Sequence, residues 1–383
     1  MNDFFFKSIA DMISSKKVVI YGAGYLGAVM LNVMDELGKE VLFFLDQNPD
    51  KQKNKFWGYE VKPPEDIIYE DMSEMIVVIA VGVKREIEEL LTGFGLKKDI
   101  DFVHGAIMRY EACDALDPFL GYSRSNGING FMVMNKYDER YENVICLGGS
   151  TTDYSMFGIK SWPQYLAELF EKNNIHLNVL NGGVTGYTSS QELLKLIRDG
   201  LALNPTLVIS YSGVNDMGYP PMLGNKYLYG VWTEMENAII GKEFELLRSS
   251  EHMTVSFGTT PQVDSAEYWY QNEMMMFNVC HGFGIPFLGI LQPSTYTRNP
   301  DRRSIYEQRV FNEFANGELI LEQFKKAKNI VNESEGENIL DFTALFDESE
   351  NVYVDHYHVF EHGNQIIAEA IYRTIKEKRL LNI

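Results

Sequence analysis

The feature that most constrains this chain is a recurring unit: a short β-branched run, a glycine-rich turn, then a stretch with helical spacing. At 17–45, KVVIY runs into GAGYLG, AVMLNVMDEL follows with helical periodicity, and EVLFFLD closes as a second apolar run. This reads as a βαβ unit. The turn-rich DQNPDKQKNKFWGYEV leads to a strand at 75–82, an amphipathic helix KREIEELLTGFG and a last short strand around Phe102 and Val103. Four strands alternating with helices predict a parallel sheet covered on both faces.

From Gly105 to about Arg140 periodicity is lost and Gly, Asn, Ser and Asp accumulate, which predicts a connector carrying short strands. A second α/β series starts at NVICLGGS (143–150). It continues through a helix from Trp162, a strand LNVLNGG, and a helix SSQELLKLIRDGLAL opening with a Ser189-x-x-Glu192 capping box and turning Leu193, Leu194, Ile197 and Leu201 inward. The strand TLVISYSG, a helix-rich region to about 280, the strand IPFLGILQP and a terminal helix from Asn364 complete it. The expected organisation is α/β with domains at 1–104 and 141–383 joined by a connector at 105–140. No internal repeat or low-complexity tract interrupts it.

At 383 residues the chain has room for two or three domains. Its hydrophobic fraction of 45% argues against wholesale disorder. A net charge of −20 repels polyphosphate and anionic headgroups, so neither nucleic acid nor a membrane surface is an expected partner. Cys113, Cys146 and Cys280 are odd in number and far apart, which offers neither a disulfide framework nor a ligand pair at metal-binding spacing. No leader pattern and no long uncharged apolar run is apparent, and a cytoplasmic protein without membrane insertion is expected.

Gly22, Gly24 and Gly27 follow a strand and open a helix, the context in which backbone N–H groups and the positive helix end approach a pyrophosphate. Asp46 ends the next strand about 20 residues on, where a carboxylate meets ribose hydroxyls. The same glycines also serve a tight strand–helix turn with no ligand. The stretch GAGxxG, FLDQNPDK, WGYEV and VIAVG, over residues 16–104, resembles the N-terminal nucleotide-sugar-binding domain of bacterial sugar acyltransferases. That resemblance implies a small Rossmann-like domain with a nucleotide-sugar or NAD(H) as ligand.

In the second series four polar loops follow strand ends: LGGSTT with Ser150, NGGVTGYTSSQ, SYSGVNDM and VDHYHVFEHGN. Open α/β sheets place ligands at this carboxyl edge. A serine nucleophile needs a base, an acid to orient it and donors for the oxyanion. Asp355 and His358, three apart, suit orienting acid and base in that order. Their H-x-H neighbourhood, with His356 and His362, also matches a metal site, but the Asp355–His358 pairing already has a fitting role. No cofactor is then required for ester hydrolysis.

The four blocks together resemble the SGNH (GDSL-like) hydrolase family over roughly residues 115–383. Carried over, Ser150 matches the nucleophile, Gly186 an oxyanion N–H donor, Asn215 of GVND the side-chain donor, Asp355 the orienting acid and His358 the base. Gly149 before the serine and Tyr154 after it depart from the GDS form. The resemblance implies a three-layer, flavodoxin-like α/β/α domain and a serine esterase that cleaves or transfers an acyl, most simply acetyl, ester on a carbohydrate through an acyl-enzyme. Two alternatives stand beside it: a nucleotide-sugar or NAD-dependent oxidoreductase using GAGYLG, and a glycan-binding protein with a non-catalytic SGNH domain.

Among the remaining residues, Asp216 reads as structural, and Gln292 and Pro293 as either pocket lining or a plain strand end. Arg298, Arg302 and Arg303 read as a solvated basic loop in preference to a site for a phosphate or uronate, His356 and His362 as surface or supporting groups, and the methionines at 274–276 as helix packing. Trp162, Tyr187 and Tyr357 are candidates for stacking on sugar rings or for the core.

Overall fold

The computed structural model describes residues 9–81, 85–105, 114–117, 119–124, 127–153, 159–223, 264–313, 317–334 and 338–382. Tyr154, Cys113 and most of the helix-rich region before 264 lie outside these. The chain divides into two compact units, residues 1–111 with 155–160 and residues 112–154 with 161–383. It is a two-domain α/β protein.

The first unit runs α1 (Ile9–Ile13), β1 (Lys17–Tyr21), α2 (Tyr25–Glu36), β2 (Val41–Leu45), α3 (Pro49–Gln52), β3 (Val61–Lys62), β4 (Met75–Ile79), α4 (Arg85–Gly93) and β5 (Phe102–His104). All five strands are parallel in the order β3-β2-β1-β4-β5. The fifth strand is β3, two residues that begin where the turn-rich stretch ends and are too few to show a period of two. Val19 and Tyr21 pack with Ile87 and Leu91 of α4, whereas Val18 and Ile20 point to the other face. Tyr21 is in register with both Leu45 and Ile79, so Gly22 and Asp46 emerge side by side at the carboxyl edge.

The second unit opens with an antiparallel hairpin, β6 (Asp114–Asp117) and β7 (Gly121–Arg124), followed by β8 (Met132–Val133). Then come β9 (Glu142–Gly148), α5 (Trp162–Lys172), β10 (Leu177–Asn181), α6 (Ser189–Lys195), β11 (Pro205–Ser212), α7 (Val214–Leu223) and α8 (Ser265–Gly282). Last are β12 (Phe287–Leu291), α9 (Ile305–Glu313), α10 (Gly317–Glu333), β13 (Ile339–Asp341) and α11 (Glu361–Glu377). The sheet order is β13-β12-β11-β9-β10-β8, with only β8 antiparallel, against β10.

Alternation along β9 creates the layers. Val144 and Cys146 join a cluster with Trp162, Leu166 and Phe170 of α5 and Ile367 and Ile371 of α11. Ile145 and Leu147 face the other way, toward Leu196, Met276 and Cys280. All four β9 side chains are wholly buried, each worth roughly 1.5–3 kcal/mol for a Val- or Leu-sized group relative to exposure. Register aligns the strand ends: Tyr211 faces Gly148, Asn181 faces Cys146, Ser212 faces Leu291 and Leu291 faces Asp341.

Two local expectations are corrected at α6. The helix is capped one residue earlier, with the Gln191 amide oxygen accepting the Thr188 N–H at 3.2 Å. Its inward face carries Ser189, Gln191, Glu192 and Lys195, while Leu194 and Ile197 are 40% and 48% exposed. Leu193 and Leu201 do pack on the cluster around Ile145 and Leu147, as the apolar spacing predicts, but Leu194 and Ile197 give way to the buried polar network. After Lys195 the helix loosens into a π turn at Leu196–Gly200 and a 3-10 turn at Leu201–Leu203.

Candidate active site

Ser150 lies two residues past β9, in a turn closed by the Thr152 and Asp153 N–H groups, both donating to the Gly149 carbonyl at 3.1 Å. It is 9% exposed. Gly149 is glycine for lack of room: a Cβ there would lie 2.6 Å from Asn215 Nδ2 and 3.2 Å from the Tyr187 carbonyl. The Asn215 amide therefore rests against the turn that carries Ser150. It donates one hydrogen to the Tyr187 carbonyl at 2.8 Å, which fixes its plane, and an amide nitrogen has a second hydrogen to give.

Gly186 occupies the loop between β10 and α6 with φ +80, a left-handed conformation that favours glycine. The preceding Gly183 packs so tightly that a Cβ would come within 2.8 Å of Thr152 and of the Asp153 nitrogen. That loop is also tied to the Ser150 turn through Asp153, whose Oδ2 accepts the Thr185 N–H at 3.2 Å and its hydroxyl at 3.0 Å. Asp153 Oδ1 meets Arg124 Nη2 at 2.5 Å, in a pair with both side chains buried. Sequence reading passed over Arg124 and Asp153, because only the folded chain brings the end of the β6–β7 hairpin under the serine turn.

Asp355 and His358 meet as their spacing predicts. Asp355 Oδ2 lies 2.7 Å from His358 Nδ1, and Asp355 Oδ1 accepts the N–H groups of Tyr357 and His358 at 2.9 and 2.8 Å. Burial pushes the Asp355 carboxyl up, but the adjoining His358, His356 and the Tyr357 N–H outweigh it and hold it below the ordinary carboxylate range. It is thus an anion held against Nδ1 of the ring, with Nε2 the nitrogen on the far side. The Thr295 N–H donates to the His356 carbonyl at 2.9 Å, joining this loop to the loop after β12. From that loop Gln292 reaches back to the serine turn, where the Thr151 hydroxyl lies 3.4 Å from its Oε1.

Several supporting readings change. Arg298 is not in a solvated loop: it is 2% exposed, and its Nε lies 3.1 Å from Glu307 Oε2, with Glu307 Oε1 accepting the Val352 N–H at 3.0 Å. That pair anchors the segment leading to Asp355. Of the two readings of His356 the surface one falls and the supporting one stands, since it is wholly buried, stacked on Tyr296 at 5.6 Å, and helps hold the Asp355 carboxyl low. Trp162 and Tyr187 belong to the core, and Trp162 donates to the Thr152 hydroxyl at 3.2 Å, which removes both as sugar platforms. Tyr357 is partly buried beside Tyr296. Met276 packs inward, while Met275 is 47% exposed. Among the described residues no group of His, Cys, Asp and Glu is arranged to hold a metal ion.

In the first unit the glycines divide by role. Gly22 has φ +112, and a Cβ there would stand 2.7 Å from the Ala80 carbonyl; one on Gly27 would stand 1.9 Å from the Gly22 carbonyl. These two are required by the turn itself. Gly24 is different: it caps α2 with no side-chain bond, and the nearest atom to an added Cβ is Lys51 Nζ at 3.7 Å. An uncapped helix start beside an ammonium fits a phosphate group. Asp46 is committed to the loop, its carboxylate accepting the N–H groups of Ala23 and Asn48 at 2.9 Å each and the Lys51 ammonium at 2.8 Å. Of about four acceptor positions on a carboxylate, three are in use. Lys51 was not singled out in the sequence, where it sits in a lysine-rich turn.

The profile of the GDSL-like Lipase/Acylhydrolase family matches residues 146–278, and that of the PglD N-terminal domain matches residues 17–90. The first match contains Ser150, Gly186 and Asn215 and ends before Asp355 and His358. No curated protein matches the chain. Among solved structures, an acetyl xylan esterase, AlAXEase, is 14% identical with a TM-score of 0.39, over 61% of this chain and 99% of its own. A mutant of Axe2, an acetyl-xylooligosaccharide esterase from Geobacillus, is 16% identical with a TM-score of 0.38, over 61% and 94%. BT4096, a gut microbial diltiazem-metabolizing enzyme, is 16% identical with a TM-score of 0.37, over 63% and 48%. Two parts of the chain therefore match known families, residues 17–90 the PglD N-terminal domain and residues 146–278 the GDSL-like lipase/acylhydrolases.

Proposed function

We propose that the second unit is a serine esterase or acyltransferase that works through an acyl-enzyme on an acylated, most simply acetylated, carbohydrate. The observation that carries this reading is the buried Asp355 carboxylate, 2.7 Å from His358 Nδ1 in a loop at the same sheet edge as Ser150. In this reading His358 Nε2 takes the Ser150 proton while Oγ attacks the ester carbonyl. The oxyanion is held by the N–H groups of Ser150 and Gly186 and the second hydrogen of the Asn215 amide. As the tetrahedral intermediate collapses, His358 returns the proton to the leaving alcohol oxygen. Water or a sugar hydroxyl, deprotonated by His358, then attacks the acyl-enzyme and frees Ser150.

The carbohydrate half of the proposal rests on the first unit, whose PglD-type domain resembles nucleotide-sugar-binding domains of sugar acyltransferases. There Gly24 and Lys51 would meet a phosphate of a nucleotide-sugar or of NAD(H), and isothermal titration with UDP-sugars and NAD(H) separates the two. Replacing Ser150 by Ala is expected to abolish release of p-nitrophenol from its acetate ester and labelling by a fluorophosphonate. Undiminished turnover by a clean preparation of that variant overturns the serine mechanism. Acetylated sugars assayed for free acetate and for a mass-shifted acceptor distinguish hydrolysis from transfer.

A further inference from the structure

Gln292 closes β12 at the same edge as the serine turn, and its position is over-determined. Its N–H donates to the Ser212 carbonyl at 3.0 Å, and the Phe342 N–H donates to the preceding Leu291 carbonyl at 3.0 Å, so the backbone is held from both neighbouring strands. Strand β11 lies between β12 and β9, and the side chain therefore crosses the end of β11 to reach Thr151. It is 1% exposed. One end of its amide faces the Thr151 hydroxyl, and the Nε2 end has no hydrogen-bond partner among the described residues. The Thr151 hydroxyl, which both donates and accepts, can meet either end of the amide.

A buried polar group without a partner is costly, and folded proteins retain few of them. Here the same amide meets, through its other end, Thr151, the neighbour of the proposed nucleophile. In an ester lying over Ser150 the carbonyl oxygen already has its donors in Gly186 and Asn215, and a short acyl chain has no further polar atom. Only the alcohol half offers a group to match. A sugar hydroxyl matches either end of the amide, because it too donates and accepts.

We propose that Gln292 is a specificity-determining residue whose free amide end hydrogen bonds a hydroxyl of the carbohydrate alcohol in the ester bound at Ser150. The proposal rests on the serine esterase reading and goes beyond it by naming how the sugar is recognised. A site built to bond a hydroxyl discriminates sharply against an alcohol that lacks it.

The test compares kcat/KM for an acetylated pyranoside with that for p-nitrophenyl acetate, in the full-length wild type and in Gln292→Leu, with Gln292→Met as a second variant of similar size. The ratio of the two is expected to fall roughly 10- to 100-fold in either variant, as for loss of a hydrogen bond to a buried polar group. It should fall by a similar factor for the wild type when the pyranoside lacks the bonded hydroxyl. A ratio that stays within about threefold, because both substrates suffer alike or neither does, overturns the proposal. Wild-type protein that a fluorophosphonate labels at Ser150 but that does not favour any acetylated pyranoside over its monodeoxy forms overturns it while sparing the serine reading. Absence of labelling overturns both.

Discussion

At the residue scale the candidate site was legible where chemistry and position coincide. Ser150, Asn215, Asp355 and His358 could be picked out because each is a polar residue directly after an apolar run, and such runs end at one edge of a parallel sheet. The structure adds how they are held: the Asn215 amide by the Tyr187 carbonyl and the His358 ring by Asp355. Asn215→Ala removes one donor in the proposed mechanism and, on that account, lowers kcat on p-nitrophenyl acetate by about 10²- to 10³-fold with a smaller change in KM. Equal kcat for the variant and the wild type would show that the amide serves the turn and not the oxyanion. Arg124 and Asp153 were illegible, since neither stands in a motif and nothing in the order of residues says that they meet.

At the scale of elements, the packing of α6 and α8 on β11 is settled by a polar network. The Ser210 hydroxyl lies 2.8 Å from Glu192 Oε2 and 2.9 Å from Glu273 Oε1, yet has one hydrogen to give. The Ser212 hydroxyl takes the Trp269 N–H at 3.0 Å and donates to Glu273 Oε1 at 2.9 Å. One of the two carboxyls must itself carry a proton to complete the contact with Ser210. Burial first raises both glutamates, reinforced at Glu192 by the carboxylates of Glu273 and then Asp216 and at Glu273 by that of Asp216, which leaves Glu273 at about 8. Because the folded state holds this proton to a higher pH than the unfolded chain does, the pair's contribution is greatest below about 4.5 and is lost as pH rises through about 8. Urea titrations between about pH 6 and 9 are therefore expected to show falling stability, and Glu192→Gln, which cannot ionise, to lose less by at least about 1 kcal/mol. Parallel curves for the two proteins would rule out a shared proton.

Smaller elements follow simpler rules. The Gly22–Gly27 turn was recognisable from three glycines between a strand and a helix, and the structure supplies the steric reason at two of them. Gly27→Ala places a methyl 1.9 Å from the Gly22 carbonyl and is expected to lower the first unit's melting temperature, whereas Gly24→Ala, with 3.7 Å to its nearest neighbour, leaves it within about a degree or two. Equal melting for both variants would mean that the turn yields. Strand β3, at two residues, could not be read, and the connector strand β8 was foreseen only as one of several short strands without bounds, because pairing partners and not periodicity define them.

For the whole molecule, each unit has a core built on its own sheet, with Val19, Val77 and Phe102 in one and Val144, Ile209 and Ile290 in the other. Scanning calorimetry is expected to resolve two transitions, because separate cores need not melt together. A nucleotide-sugar that binds the first unit should raise only one of them, in proportion to the logarithm of its concentration. A single transition with equal calorimetric and van't Hoff enthalpies would contradict independent cores. Among the described residues no helix is long and apolar enough to cross a membrane.

The sequence by itself determined the α/β class, the two series of strands, the sheet edge where the polar loops gather, and the residue types able to do acyl transfer. These are local or periodic properties: apolar period, glycine at turns, a carboxylate three residues from an imidazole. The fold alone settled which buried polar groups found partners, from Arg124 with Asp153 and Arg298 with Glu307 to the Ser210 hydroxyl with Glu192 and Glu273 and the unmet amide end of Gln292. A hydrogen bond between residues distant in the chain leaves no periodic trace, because it depends on the meeting of two surfaces that only the packed fold creates.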